Sequence, residues 1–105
     1  MKLGQIIRAL RRSRIRREIV QLLCTVDEPL YASAIADLIK ASYINVIGAL
    51  RGLNGRYVTS DSLIGLGILR ELRMGNHVFY LFVNREICEV LTRSGISAIQ
   101  IQITL

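Results

Sequence analysis

Residues 33–53, SAIADLIKASYINVIGALRGL, constrain the fold more than any other stretch of the chain. Two short runs with apolar residues at helical spacing abut at Ala41-Ser42, with neither Gly nor Pro between them. Ile35, Ala36 and Ile39 share one face of the first run. Val46, Leu50 and Leu53, at i, i+4 and i+7, share one face of the second. Ser33 and Ser42 are each suited to cap a helix N-terminus, because a side-chain hydroxyl accepts from an otherwise unpaired amide in the first turn. The pattern predicts one helix from Ser33 through Lys40 and another from Tyr43 to about Asn54. Neither helix can bury its stripe alone, so both must turn against each other and against a third element.

Candidate partners lie on both sides. Upstream, Arg14 to Thr25 has the helical period, with Ile15, Ile19, Leu22 and Leu23 on one face. Ile6, Ile7 and Leu10 extend that stripe, so the same helix can begin as early as Gln5. Asp27-Glu28-Pro29 ends it, and Leu30-Tyr31 reads as a short strand. Downstream, GRYVTSDS is a polar loop, and Ser60 or Asp61 suits the start of one short turn, SLIGLG. Then ILRELRM and HVFYLFV, both rich in strand formers, flank Gly75-Asn76 and predict a β-hairpin. In its second strand Val78, Tyr80 and Phe82 alternate with Phe79 and Leu81. Asn84 caps a last helix through Arg93, with Ile87, Val90 and Leu91 inward and Gly95 as the stop. The final stretch, ISAIQIQITL, places Ile99, Ile101, Ile103 and Leu105 on one side and Gln100, Gln102 and Thr104 on the other, a strand pattern. A helix through Ile96, Ile99 and Ile103 is the alternative, with Ile101 off its stripe. Residues 1–105 read as a single α+β domain with a basic N-terminal helix extension (1–17) and a strand-like tail (96–105).

Charge narrows the function. The net charge is +6, and seven of the fourteen Lys and Arg residues fall within residues 1–17, which hold no Asp or Glu. Such a balance favours polyanions. Arg8, Arg12 and Arg16 are four apart, a spacing that puts them on one exposed helix face. No apolar run approaches the ~18 residues of a membrane span. Arg8 also interrupts the N-terminal apolar run too early for a secretion signal, so a cytoplasmic protein is expected. No nucleophile–base pair, paired carboxylates or phosphate-cradling loop appears, and an enzyme is not expected. His77, the single histidine, has no second ligand near it in sequence, so no metal or cofactor is expected. Cys24 and Cys88 read as two buried thiols acting as small hydrophobes, with a disulfide or a metal site as the alternatives.

The element order, helix, short strand, helix, helix, hairpin, helix, is that of a winged helix-turn-helix. The segment ASAIADLIKASYINVIGAL resembles the helix-turn-helix of many bacterial and archaeal repressors. Ile35 and Ala36 take the paired apolar-then-Ala positions, Ala41 the apolar turn position, Ser42 the cap, and Val46 and Leu50 the inward positions. SLIGLGILRELRMGNHVFYLFVNRE resembles the segment that follows in ArsR-like families. Together, over roughly residues 14–93, the chain is similar to small archaeal winged-helix transcriptional regulators. Two features depart from that pattern. Lys40 stands where Gly is usual, so it must adopt a positive φ or the turn must differ. About ten extra residues, GRYVTSDSLI, separate the second helix of the motif from the wing.

The resemblance implies double-stranded DNA binding by a dimeric regulator with no evident small-molecule ligand. It assigns Ser42, Tyr43, Asn45, Gly48 and Arg51 to the helix that enters or borders the major groove. Arg56 falls in the following loop, Arg70 and Arg73 on the first wing strand, and Asn76 and His77 at the wing tip. Bases are read by paired donors and acceptors, yet Ile44 and Ile47 occupy outward positions of that helix. They either touch thymine methyls or, for Ile47, lie under Tyr57, Val58 or Leu63 of the inserted loop, and partial cover is expected. The alternative function is a winged-helix protein-interaction module in a nucleic-acid-associated complex. A dimer is expected to use the alternating tail together with the apolar surface of Leu3, Ile6, Ile7 and Leu10.

Overall fold

Ser13 decides how the chain begins. The computed structural model, which describes residues 3–53 and 59–93, shows two helices where one could have run through: α1 (Leu3–Arg11) and α2 (Arg14–Thr25). Ser13 is extended (φ −139°) and its hydroxyl accepts from the Arg16 amide at 3.2 Å, so it starts α2. The break lets α1 fold back, and Ile6, Ala9 and Leu10 enter the core. Residues 3–11 are therefore an integral layer of the domain. Leu3 and Ile7 are partly buried against the same core. Of the apolar surface expected to meet a second subunit, Ile6 and Leu10 are buried within the chain, and Leu3 and Ile7 are partly covered.

The arginines after the break have structural work. Arg16 Nη1 donates to the Ala9 carbonyl at 3.0 Å, and Arg17 Nη1 donates to the carbonyls of Leu10 and Arg11 at 2.9 Å each. The last carbonyls of a helix lack intrahelical partners and carry partial negative charge, so cations there are favourable. Arg14 pairs with Glu18 at 2.7 Å. The face expected to show Arg8, Arg12 and Arg16 together is therefore divided: Arg8 and Arg12 are exposed on and just after α1, while Arg16 is half-buried as a cap.

Next come β1 (Leu30–Tyr31), α3 (Ala32–Ile39) and α4 (Tyr43–Arg51). Tyr31 holds the N-cap position of α3 without a side-chain hydrogen bond, so Ser33 lies inside the helix and is not its cap. Lys40 takes the left-handed conformation, φ 56° and ψ 49°, and is the one described non-glycine residue with positive φ. The departure from Gly is met by strain, not by a different turn. Ser42 caps α4, accepting from the Asn45 amide at 3.1 Å. The axes of α3 and α4 turn through 117°, within the range of helix-turn-helix pairs. Replacing Lys40 with Gly is expected to raise stability by up to about 1 kcal/mol, and Lys40→Val to lower it by at least about as much, in thermal denaturation. Equal stability of both variants would show that the turn carries no strain.

The segment before the hairpin docks through its backbone. The Leu63 and Ile64 amides donate to the carbonyls of Ala49 and Leu50 at 2.8 and 2.9 Å, completing the end of α4. A short 3-10 turn (Thr59–Asp61) precedes fully buried Ser62, whose hydroxyl accepts from Gly65 at 2.9 Å. The hairpin follows: β2 (Leu69–Met74) and β3 (His77–Phe82), joined at Gly75 with φ 64°. β1 adds to β3, giving an antiparallel sheet in the order β1-β3-β2. α5 (Glu86–Arg93) begins where Asn84 Oδ1 accepts from the Glu86 amide at 2.9 Å.

Cys24 and Cys88 are joined in a disulfide, Cα–Cα 5.8 Å, which ties the end of α2 to α5. This corrects the expectation of two separate thiols. Arg85 reinforces the same junction, donating to the carbonyls of Leu23 and Cys24 at 3.1 and 3.2 Å and pairing with Asp27 at 3.6 Å. Among the described residues the fold is α+β, with five α-helices around one core and a three-stranded sheet, an arrangement compatible with a winged helix. No single described helix is long and apolar enough to cross a membrane. The tail, residues 96–105, lies outside the described residues.

Candidate nucleic-acid interface

Helix α4 and the hairpin meet beside each other, and strand register decides which hairpin residues face the helix. Directly opposed residues in an antiparallel pair share a face. Leu69 opposes Phe82, Glu71 opposes Tyr80, and Arg73 opposes Val78. Since Leu69, Tyr80 and Phe82 are buried in the core, Glu71 and Arg73 stand on the helix side. Arg70, Leu72 and Met74 stand on the outer side with His77, Phe79 and Leu81. Arg70 and Arg73 were expected to act together. They are three positions apart on a strand of period two, so they point to opposite faces of the hairpin.

The inner face forms a small polar cluster. Tyr80 is 2% exposed, and its hydroxyl donates to Glu71 Oε2 at 3.1 Å. The same Glu71 oxygen lies 3.9 Å from Arg51 Nε at the end of α4. Burial, followed by the neighbouring Glu71 charge and its hydrogen bond, pushes the Tyr80 phenol up to about 12, so the hydroxyl remains a donor throughout the neutral range. The Tyr43 phenol also acts on Tyr80, in the same direction, while Arg51 opposes them. Tyr43, Arg51, Glu71 and Tyr80 therefore form one neighbourhood at the junction of helix and sheet.

The expected site residues fare differently. Tyr43 and Arg51 are exposed on α4, and Ile44 is half exposed beside them. Asn45 is half-buried. Ile47 is partly buried against the core, to which Leu63 also belongs, while Tyr57 and Val58 lie outside the described residues. Gly48 is buried, so it does not present open backbone to a groove. Ser42 is exposed but already serves as the cap of α4. Asn76 and His77 are exposed at the hairpin tip, where the His77 ring lies 6.1 Å from Tyr31 and 6.3 Å from Phe79. Arg56 lies outside the described residues.

Three features of this region were not singled out from the sequence: the Glu71 link between Arg51 and Tyr80, the aromatic trio Tyr31, His77 and Phe79, and the outward place of Arg70. Strand period two, applied from buried Leu69, places Glu71 and Arg73 on one face. Its contact with Arg51 follows only from how α4 packs. Among the described residues no three His, Cys, Asp or Glu side chains gather as a metal site.

Comparison with known proteins adds two findings. An uncharacterized protein of Methanocaldococcus jannaschii, MJ0905, is 36% identical over 89 residues, spanning 82% of this chain and 80% of that protein. Residues 6–100 match the family described as EarA-like. That match takes in most of α1, the helix pair, the polar junction and the hairpin, and the chain belongs to the EarA-like family.

Proposed function

We propose that this protein binds double-stranded DNA as a winged helix-turn-helix and acts as a transcriptional regulator in the cytoplasm. The observation that carries this reading is the pairing of a 117° helix turn with a hairpin whose inner face sets Arg73 on the side where Arg51 reaches Glu71. In this arrangement α4 approaches the major groove with Tyr43, Ile44 and Arg51. The hairpin tip, with Asn76 and His77, and its inner face, with Arg73, lie along the phosphate backbone. Recognition leans on charge and on DNA shape, because few outward side chains of α4 can pair with base edges. The net charge of +6 supports it. A homodimer over two half-sites completes the reading and rests on the alternating sequence of residues 96–105.

A second reading has its own observation. Tyr43 is 55% and Ile44 50% exposed on the outer side of α4, and such an apolar pair also suits a protein partner. Titration of labelled duplex DNA at two salt concentrations separates the two. DNA binding predicts micromolar or tighter affinity that weakens with salt, with a log–log slope near about −5 if six phosphates are contacted. Arg73→Ala is expected to reduce that slope by about one and weaken binding, whereas Arg70→Ala on the opposite face leaves both nearly unchanged. Equal losses from the two variants would remove the face assignment. No duplex binding at low salt, together with capture of a protein partner, would replace the first reading with the second.

A further inference from the structure

An acidic side chain in the middle of a proposed polyanion-binding face calls for an explanation. Glu71 is held from beneath by Tyr80, a side chain that is itself buried in the core. From above, the same carboxylate oxygen faces Arg51 Nε. A rigid body, a hydroxyl, a carboxylate and a guanidinium therefore stand in series from the core to the surface.

Glu71 weakens general attraction to phosphate in two ways. It adds a negative charge to the face, and it offsets part of the charge of Arg51. Long side chains also lose rotamer freedom when they bind. An Arg drawn toward one carboxylate has fewer orientations open to it, and so favours one binding geometry over others. The carboxylate lies 3.9 Å from Nε, an ion-pair distance longer than a hydrogen bond, at the end of the guanidinium nearest the chain. The terminal pair of amino groups is the edge that matches O6 and N7 of guanine in the major groove.

We propose that Glu71, fixed by the Tyr80 hydroxyl, is a positioning residue that orients Arg51 to read a guanine in duplex DNA, giving up general affinity for selectivity. This rests on the DNA-binding reading above and adds to it the base and the residue that is read through. Of the other α4 side chains proposed to approach the groove, Ile44 is apolar and Tyr43 carries a single hydroxyl, without the paired donors of a guanidinium.

The test is selection of the full chain on a duplex pool randomised across the site, followed by titration of selected and unselected duplexes at two salt concentrations. The wild type is expected to enrich guanine at one position. Glu71→Gln, a near-isosteric change at a part-exposed site, is expected to bind unselected duplex more tightly and to lose roughly tenfold in discrimination at that position. Tyr80→Phe keeps the charge but frees the carboxylate, so it loses discrimination without the gain in unselected binding. Arg51→Lys keeps the cation without the paired edge and loses the guanine preference with its salt slope nearly unchanged. Glu71→Gln with undiminished guanine enrichment overturns the inference. So does wild-type binding with no guanine preference, which leaves the DNA-binding reading standing. Absence of duplex binding by the wild type and Glu71→Gln overturns both.

Discussion

Reduction of the Cys24–Cys88 disulfide is expected to cost about 4 kcal/mol of folding stability. The bridge closes a loop across a sequence separation of 64 residues. In the chain-entropy account, releasing a loop of that length restores a large amount of freedom to the unfolded chain. Domains of this size are commonly stable by only about 5–15 kcal/mol, so the loss is a large share of the total. The melting temperature should fall by roughly 20 °C on reduction. The consequence is local as well as global. α5 is otherwise held by buried Ile87 and Leu91 and by the Arg85 contacts at its start, so its outer turns should exchange amide hydrogens faster once the bridge is open. Melting with and without reductant, with alkylation to count free thiols, measures the effect. The Cys24→Ser, Cys88→Ser double variant should melt at the reduced temperature in both conditions. A melting point indifferent to reduction, with both thiols shown to be free, would remove the bridge from the stability of this fold.

Leu10→Ala is expected to destabilise the domain by about 3 kcal/mol. Leu10 is 0% exposed and belongs to the same core as Ile35, Val46 and Leu50. Truncation removes its apolar contacts and leaves a cavity between α1 and the rest of the molecule, which the close-packed neighbours cannot fill. Arg8→Ala and Arg12→Ala, at exposed positions two residues either side, should change stability by no more than about 0.5 kcal/mol. Denaturant midpoints of the three variants separate an integral helix from a loosely attached basic arm. Equal, small effects from all three would mean that α1 does not share the core.

Both expectations come from places where the sequence reading and the structure part company. Ile6, Ile7 and Leu10 showed that the N-terminal segment has an apolar side, but not what that side meets. Once Ser13 stops the helix, α1 can double back, and the nearest apolar surface is the chain's own. The same break turns Arg16 and Arg17 from members of a basic surface into caps for carbonyls they could not reach in a continuous helix. The basic character of residues 1–17 was plain from composition, whereas the division of labour within it depended on one change of direction.

The polar junction shows a similar limit at the site. Arg51 and Arg73 could be named from their elements alone, Arg51 at the end of a helix and Arg73 on a strand beside a tight turn. That Glu71 joins them there, and that Arg70 does not, depends on which hairpin face the core covers. Leu69, Tyr80 and Phe82 make that choice by burying their apolar surface, and every neighbour on the strand follows by alternation. The acidic residue that tempers this face is carried there by the same rule.

What the sequence determined by itself was local: the helical periods, the caps at Ser42 and Asn84 and the Gly75-Asn76 turn. These depend on residues a few positions apart, whose contacts are set by backbone geometry wherever the segment is placed. What only the tertiary structure decided was which surfaces meet: Cys24 with Cys88, Leu10 with the core, and Arg51 with Glu71. Those contacts join positions far apart along the chain. Their formation follows from the total apolar area that packing removes from water, a quantity that no single segment contains.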